Sequence, residues 1–156
     1  MINCVNHKGE WVNVPKAKFR FRPSVYGLIK NGNKVCLCKN RSSGKYWFPG
    51  GGVEIGEGLK EALVREIDEE AGLQEVEIGK QIGVIENFYY YGPRDEAMHA
   101  FLFFYECRSP LHDLKTNEQV QDDEAMDFEW VDIGQIRRED FTDMQDEIMA
   151  MFKKIS

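Results

Sequence analysis

Three glutamates are spaced so that their carboxylates share one side of a predicted helix. In the stretch 58–71, Glu66, Glu69 and Glu70 stand at positions i, i+3 and i+4, which are neighbours on a helix surface. Like charges at this spacing repel and cost helix stability. A hard divalent cation such as Mg²⁺ or Mn²⁺ removes that cost, because it prefers carboxylate oxygens as ligands. The spacing therefore suggests a metal site, although three glutamates alone more often mark a solvated acidic face.

A longer motif surrounds these glutamates. Five residues separate Gly51 from Glu57, seven more precede Arg65, and the run Arg-Glu-Ile-Asp-Glu-Glu-Ala-Gly-Leu then fills 65–73. This pattern resembles the Nudix box at every fixed position, and the lead-in 47–52 extends the resemblance less specifically. The resemblance implies an α/β protein with the Nudix fold, an α/β/α sandwich with a mixed β-sheet. It also implies hydrolysis of a nucleoside diphosphate linked to another group.

The same resemblance implies roles for the box residues. In that family the paired glutamates and a backbone carbonyl just before the box ligate the metal, which here points to Glu69, Glu70 and Gly50. Glu66 is implied as a further metal ligand or as the general base. Glu57 and Arg65 are implied to support the loop and the helix, for instance as an ion pair.

A last acidic metal ligand is expected from outside the box, as in other members of the family. Several acidic residues precede the predicted strand 126–130, and Glu124 is the closest of them to that strand. We therefore predict Glu124 as this ligand. The alternative is a merely solvated acidic loop.

The charge of the chain limits its classes of function. The sequence has 20 Lys and Arg against 27 Asp and Glu, a formal charge of −7, which argues against long-range attraction to nucleic acid or to an anionic membrane. An acidic protein approaches a strongly negative phosphoanhydride through bound cations. Water activated by the metal then serves as nucleophile, and a carboxylate such as Glu66 can accept its proton. No Ser/His/Asp arrangement suggests a covalent intermediate.

Length and composition predict one folded domain over 1–156, because 42% of the 156 residues are hydrophobic. No apolar run reaches the roughly 18 residues of a membrane span. The first residues lack the apolar core of a secretion signal, so we expect a cytoplasmic protein without a membrane partner. The four cysteines form no CxxC pair and are expected to be buried reduced thiols. A homodimer is possible, since dimers are common in the family.

Aromatic residues outside the box are candidates for stacking on a nucleotide base. They are Tyr89, Tyr90, Tyr91, His99 and Trp47. Each is also a common residue of a core or a sheet surface. Nudix enzymes for dinucleoside polyphosphates commonly carry a tyrosine at about this distance after the box, whereas those for ADP-ribose carry a proline there, and Pro93 lies too late. We therefore predict a nucleoside triphosphate or a dinucleoside polyphosphate as the small-molecule substrate.

One basic strip is a candidate for binding phosphates. It begins at Lys16, alternates basic and apolar residues, and includes Arg20 and Arg22. These two arginines could steer or clamp the substrate's phosphates. The alternative is the solvated face of an outer strand, where basic residues discourage association between sheet edges.

Strands and two helices must position these residues, and alternation, turn residues and helical spacing predict where they lie. The predicted strands are 16–22, which Pro23 ends, 24–30 and 34–39, which an Asn-Gly-Asn turn joins, and 80–91, 97–108 and 126–130. The predicted helices are 58–71, which Gly72 ends, and 143–154. The segment 49–52 is predicted to be a glycine-rich loop whose backbone approaches metal and phosphate.

Two hypotheses of different classes follow. One is a metal-dependent pyrophosphohydrolase. The other is a Nudix-fold module that binds a nucleotide or a protein without cleaving it. Such a module is expected to lose some of the box carboxylates, and this chain retains all of them. The sequence therefore favours the enzyme.

Overall fold

The computed structural model describes residues 1–110, 113–115, 118–119 and 125–155. The strands within these residues are β1 (Ile2–Asn6), β2 (Trp11–Val14), β3 (Phe19–Asn31), β4 (Lys34–Asn40), β5 (Tyr46–Trp47), β6 (Gly50–Gly52), β7 (Glu77–Tyr91), β8 (Glu96–Arg108) and β9 (Ala125–Asp132). The α-helices are α1 (Leu59–Ala71) and α2 (Gln145–Phe152). Short 3₁₀ turns occur at Lys16–Lys18, Gly92–Arg94, Ile133–Gln135 and Arg138–Asp140.

The strands of the described residues form one mixed sheet in the order β2-β1-β7-β8-β3-β4-β5, with β6 beside β3 and β9 beside β4. The pairs β3–β8 and β1–β7 are parallel, and the other pairs are antiparallel. Helix α1 packs on one face of the sheet through Leu63 and Ile67. Helix α2 belongs to the core of the other face, where Ile148 packs with Phe104. The predicted α/β/α sandwich with a mixed sheet is confirmed.

Helix α1 begins and ends close to the predicted residues. Leu63, Ile67 and Ala71 form its buried stripe, so the remaining faces are available to polar side chains. Gly72 ends the helix in the left-handed region, at φ 74°, and its amide donates to the carbonyls of Ile67 and Asp68. A glycine adopts this conformation without the steric cost that a Cβ brings.

The basic strip differs from its prediction. Lys16–Lys18 forms a 3₁₀ turn, and β3 runs through Pro23 instead of ending there. The Pro23 carbonyl accepts a hydrogen bond from the Val53 amide at 3.0 Å. The N–H and C=O of a strand residue point to the same side, so the N–H that proline lacks would face the end of β6. The pairing between β3 and β8 therefore loses no hydrogen bond at Pro23.

The glycine-rich segment is a strand, not the predicted loop. Gly50, Gly51 and Gly52 pair antiparallel with Tyr26, Val25 and Ser24 of β3. Gly50 has φ 145°, and a Cβ there would collide with the Val25 carbonyl oxygen. The close approach of β6 to β3 therefore requires glycine at this position.

The remaining strand predictions are confirmed. Helix α2 is shorter than the predicted helix 143–154: it begins only after Met144, which takes a left-handed conformation, and it ends at Phe152. The sequence did not reveal the hairpin β1–β2. Its turn needs Gly9 at φ 82°, and β1 then pairs with β7, Val5 lying opposite Tyr89.

The cysteines are buried and free, as predicted. Within the described residues, no helix has the length and apolar character needed to cross a membrane.

Candidate active site

One pocket contains two of the three glutamates that were predicted to share one side of the helix. Glu66 and Glu70 of α1 line it together with the strand β6. Arg22 of β3 and Arg94 of the turn between β7 and β8 line it as well. We call this the carboxylate pocket. It brings together three residues of the predicted metal site, Glu66, Glu70 and Gly50.

Backbone contacts hold the two carboxylates in place. Glu70 is only 6% exposed, and its Oε2 accepts a hydrogen bond from the Gly50 amide at 3.0 Å. The Glu66 carboxylate lies against Gly51, where an added Cβ would come within 2.7 to 2.9 Å of its atoms. Glycine at these positions therefore lets the backbone of β6 approach both carboxylates closely.

Arg65 ties the helix to the segment that precedes it. Its Nε donates to Glu57 Oε1 at 2.7 Å and its Nη2 to Glu57 Oε2 at 2.9 Å, which is the two-point geometry in which a guanidinium binds a carboxylate most strongly. Its Nη1 also donates to Glu66 Oε1 at 3.0 Å, and its Nη2 to the Gly52 carbonyl at 3.3 Å. Arg65 thus fixes the position of Glu66 relative to β6.

Glu69 lies apart from the other two glutamates. Its side chain is 60% exposed, and its Oε2 forms an ion pair with Arg65 Nη1 at 3.4 Å. The Glu69 carbonyl accepts a hydrogen bond from Lys115 Nζ at 2.7 Å. Within the described residues, no group of three or more His, Cys, Asp or Glu comes together as a metal cluster. Glu124, the predicted ligand outside the box, lies outside the described residues.

A second pocket adjoins the first. Its apolar lining includes Tyr89 of β7, Met98 and Leu102 of β8, and Trp47. Polar groups reach it from Asn87 and from Asp143 before α2. We call this the apolar pocket. The side chains that line both pockets, and so join them into one cleft, are Arg22, Tyr26, Asn40 and Trp47.

Of the predicted substrate-binding residues, the structure brings Tyr89, Trp47 and Arg22 to this cleft. Tyr90 lies elsewhere, and its hydroxyl donates to Asp95 at 2.8 Å. Tyr91 is buried and lines neither pocket.

His99 and Arg20 also lie away from the cleft. His99 stacks on Phe88 at 4.2 Å between ring centroids, and Met98 and Ala100 on either side of it line the apolar pocket. Because successive side chains of a strand point to opposite faces, His99 faces the other side of the sheet. The Arg20 guanidinium donates to the carbonyls of Ala17 and Phe19.

Sequence analysis did not single out Arg94, Asn87 or Asp143. Arg94 is part of a Gly-Pro-Arg-Asp turn, a composition typical of a plain connection. Its place at the carboxylate pocket follows from the register of β7 and β8, which local sequence does not reveal.

The ion pair between Glu57 and Arg65 shifts the pKa of both groups. Hydrogen bonds from Arg65 and from the Glu54 amide lower the pKa of Glu57 to about 2. The hydrogen bond to Glu57 in turn raises the pKa of Arg65 above its usual value. Both side chains therefore stay charged across the range in which proteins normally work.

This shift predicts how stability depends on pH. Because the pKa of Glu57 falls from 4.5 to about 2 on folding, the stabilisation is present above pH 4.5 and is lost as the pH falls towards 2. Glu57→Gln removes it, so we expect the variant's free energy of unfolding to fall less steeply than the wild type's across this range. Urea unfolding at a series of pH values measures the difference, with Glu75→Gln, an exposed site, as control. If the free energy of unfolding changed equally with pH in wild type and in Glu57→Gln, the lowered pKa of Glu57 would be contradicted.

Comparison with known proteins shows the family of this chain. The family model of the NUDIX domain matches residues 20–152. A nucleoside triphosphatase NudI of Escherichia coli O81 (strain ED1a) is 35% identical over 121 residues, which cover 72% of this chain and 82% of the relative.

Solved structures share the fold. A MutT NUDIX hydrolase from Burkholderia pseudomallei aligns with a TM-score of 0.62 and 17% identity, covering 88% of this chain and 99% of that chain. A NUDIX hydrolase from Nitrosomonas europaea aligns with a TM-score of 0.65 and 22% identity, covering 85% of this chain and 70% of that chain. The chain therefore belongs to the Nudix family of pyrophosphohydrolases, as the spacing of its box residues predicted.

Proposed function

We propose that this protein hydrolyses a phosphoanhydride bond of a nucleoside triphosphate and uses a divalent cation, Mg²⁺ or Mn²⁺, to do so. The observation that carries the proposal is the continuity of the two pockets. Glu66 and Glu70 lie in one, and an apolar surface suited to a base lies in the other. A nucleotide has the same two parts, a charged phosphate chain and a flat, weakly polar base.

The residues of the carboxylate pocket suit a hard divalent cation. Mg²⁺ is usually bound by one or two carboxylates, with water and substrate phosphates completing its ligands. Glu66 and Glu70 supply two carboxylates in one pocket, and Gly50 of the same pocket is the proposed carbonyl ligand. Glu69 and Glu124 remain proposed ligands that complete the site. When bound, the cation offsets charge on the phosphate oxygens and lowers the pKa of a coordinated water molecule.

Glu66 is the residue to which we assign proton acceptance. Its Oε1 accepts a hydrogen bond from Arg65, so the side chain has a fixed orientation, and its side chain is only 15% exposed. A carboxylate that Arg65 orients towards the pocket can take the proton of the attacking water at Oε2. The Glu57–Arg65 pair therefore acts through Glu66 and does not touch the substrate.

The apolar pocket supports a nucleotide substrate. Trp47 and Tyr89 offer flat surfaces for a base, and Arg22 stands where the two pockets join, with its Nη1 at 3.1 Å from Met98 Sδ. The relative from Escherichia coli is described as a nucleoside triphosphatase, which favours a triphosphate. A dinucleoside polyphosphate is the second candidate from the sequence. A homodimer in the cytoplasm also remains a proposal.

Product analysis tests the proposed reaction. We expect wild type with Mg²⁺ to release a nucleotide product from triphosphates in a panel that also contains dinucleoside polyphosphates and nucleotide sugars. Glu66→Gln should lower kcat by roughly a hundredfold or more, because general base catalysis contributes about that much, and removal of the cation with a chelator should abolish turnover. Chromatography identifies the products.

The alternative hypothesis, a Nudix-fold module that only binds its ligand, predicts a different result. Wild type would then bind nucleotides in the presence of Mg²⁺ without releasing any product from the panel. That result would contradict the proposed hydrolase.

A second experiment tests the nucleoside end of the cleft. Tyr89→Ala removes a ring from the apolar pocket, so we expect KM to rise roughly tenfold, the scale of one base–aromatic stacking contact. His99→Ala removes a ring from the opposite face of the sheet and should leave KM unchanged. Steady-state kinetics with the preferred substrate gives both values. A rise of KM in His99→Ala with none in Tyr89→Ala would place the base on the other face.

A further inference from the structure

The turn between β7 and β8 carries an arginine into the carboxylate pocket. Gly92–Arg94 forms a single 3₁₀ turn, and Asp95 leaves it in the left-handed region at φ 52°. Arg94 lines the carboxylate pocket but is not among the residues of the apolar pocket. Arg22, by contrast, lines both pockets. Arg94 therefore belongs to the carboxylate pocket alone, whereas Arg22 also borders the surface proposed to bind the base.

The Tyr91 ring supports the Arg94 guanidinium. Its Cζ lies 5.6 Å from the centroid of the Tyr91 ring, within the range of a cation–π contact. Tyr91 is only 7% exposed and meets His7 edge to face at 5.6 Å between centroids. His7 in turn accepts a hydrogen bond at Nδ1 from the Gly92 amide at 3.3 Å. A Cβ at Gly92 would approach His7 to 2.8 Å, so the turn and the rings are closely packed.

The other side of the turn is held as well. Asp95 accepts hydrogen bonds from Lys18 Nζ at 2.6 Å and from the Tyr90 hydroxyl at 2.8 Å. These contacts tie the turn to the segment before β3 and to β7. The backbone that carries Arg94 is thus fixed from both sides, which lowers the entropy lost when its side chain binds a ligand.

The chemistry of this position suits a phosphate. A guanidinium presents a planar set of donors that matches two oxygens of one phosphate. Once a cation occupies Glu66 and Glu70, phosphate oxygens are the anionic groups of a nucleotide that reach this pocket. Arg22 stands at the junction with the apolar pocket and is therefore suited to the phosphate next to the nucleoside, whereas Arg94, which lines the carboxylate pocket alone, is suited to the far end of the phosphate chain.

We propose that Arg94 binds the terminal phosphate of a nucleoside triphosphate, the one that the matching diphosphate lacks, and so makes the enzyme prefer triphosphates to diphosphates. Tyr91 and His7 are positioning residues that act through Arg94. This inference rests on the proposed function, since it assigns an order to substrate groups along the same cleft. It gives Tyr91 a role other than stacking on the base.

Kinetics and binding on the full-length protein with Mg²⁺ test the assignment. Arg94→Gln should raise KM for the triphosphate roughly ten- to a hundredfold, the scale of a hydrogen bond to a charged group, and should change KM for the matching diphosphate much less. Arg94→Lys keeps the charge without the two-point geometry, so its KM for the triphosphate should lie between those of wild type and Arg94→Gln. Tyr91→Leu should shift KM in the same direction, and Tyr91→Phe, which keeps the ring, should stay close to wild type.

A matched control separates this effect from a loss of surface charge. Arg138 forms an exposed ion pair with Asp146, and such pairs contribute little, so Arg138→Gln should behave as wild type. Thermal melting checks that each variant is folded. Equal KM changes for triphosphate and diphosphate in Arg94→Gln, or values equal to those of Arg138→Gln, would overturn the proposal.

Calorimetry with a non-hydrolysable triphosphate analogue keeps this inference distinct from the proposed function. Weaker binding by Arg94→Gln supports the role of Arg94 even if wild type releases no product, and in that case only the proposed hydrolysis fails. Turnover by wild type together with unchanged analogue affinity in Arg94→Gln overturns the role of Arg94 and leaves the hydrolysis standing. A wild type that neither binds the analogue nor turns over substrate overturns both.

Discussion

The hydrogen bond from the Gly50 amide to the Glu70 carboxylate is the contact on which the site depends. A carboxylate that is almost wholly buried needs a donor, because an unpaired buried charge costs several kcal/mol. Glu70 obtains that donor from the backbone of β6, and β6 can approach only because Gly50 has no side chain to collide with β3. The strand that shapes the pocket and the helix that carries its glutamates therefore stabilise one another's position.

Arg65 completes this arrangement beside Glu66. By binding Glu57 and Glu66 together, it offsets the repulsion between neighbouring carboxylates and joins α1 to the residues that follow β6. Glu69, one helical turn from Glu66 and exposed to solvent, does not share the burial of its two neighbours. Of the three glutamates, two thus line the pocket and the third does not.

The alternation of strands decides which aromatic residues reach the cleft. Tyr89 lines the apolar pocket, whereas the next residue, Tyr90, contacts Asp95, because successive side chains leave a strand on opposite faces. The same rule separates Met98 from His99. The surface proposed to bind the base and a differently composed opposite face are therefore built from adjacent residues of the same two strands.

Local sequence was sufficient for the features that depend on local contacts. The extent of α1, its end at Gly72, the turn between β3 and β4, and the box spacing were all predictable, because near neighbours in the chain determine them. Long-range pairing determines the rest. Pro23 is accommodated within β3 because its missing donor faces the end of β6, and Arg94 reaches the carboxylate pocket because β7 and β8 pair along their whole length. The residues next to Pro23 and Arg94 in the sequence do not reveal either pairing.

The most direct test of the account is the affinity of the protein for Mn²⁺, measured by electron paramagnetic resonance without substrate. Glu70→Gln keeps the size of the side chain and removes its charge, and Glu75→Gln makes the same change at an exposed position. The account predicts that Glu70→Gln weakens Mn²⁺ binding by at least about tenfold, the scale seen when the surroundings of a metal site are changed, and that Glu75→Gln binds as wild type does. Unchanged Mn²⁺ affinity in a folded Glu70→Gln protein would contradict it.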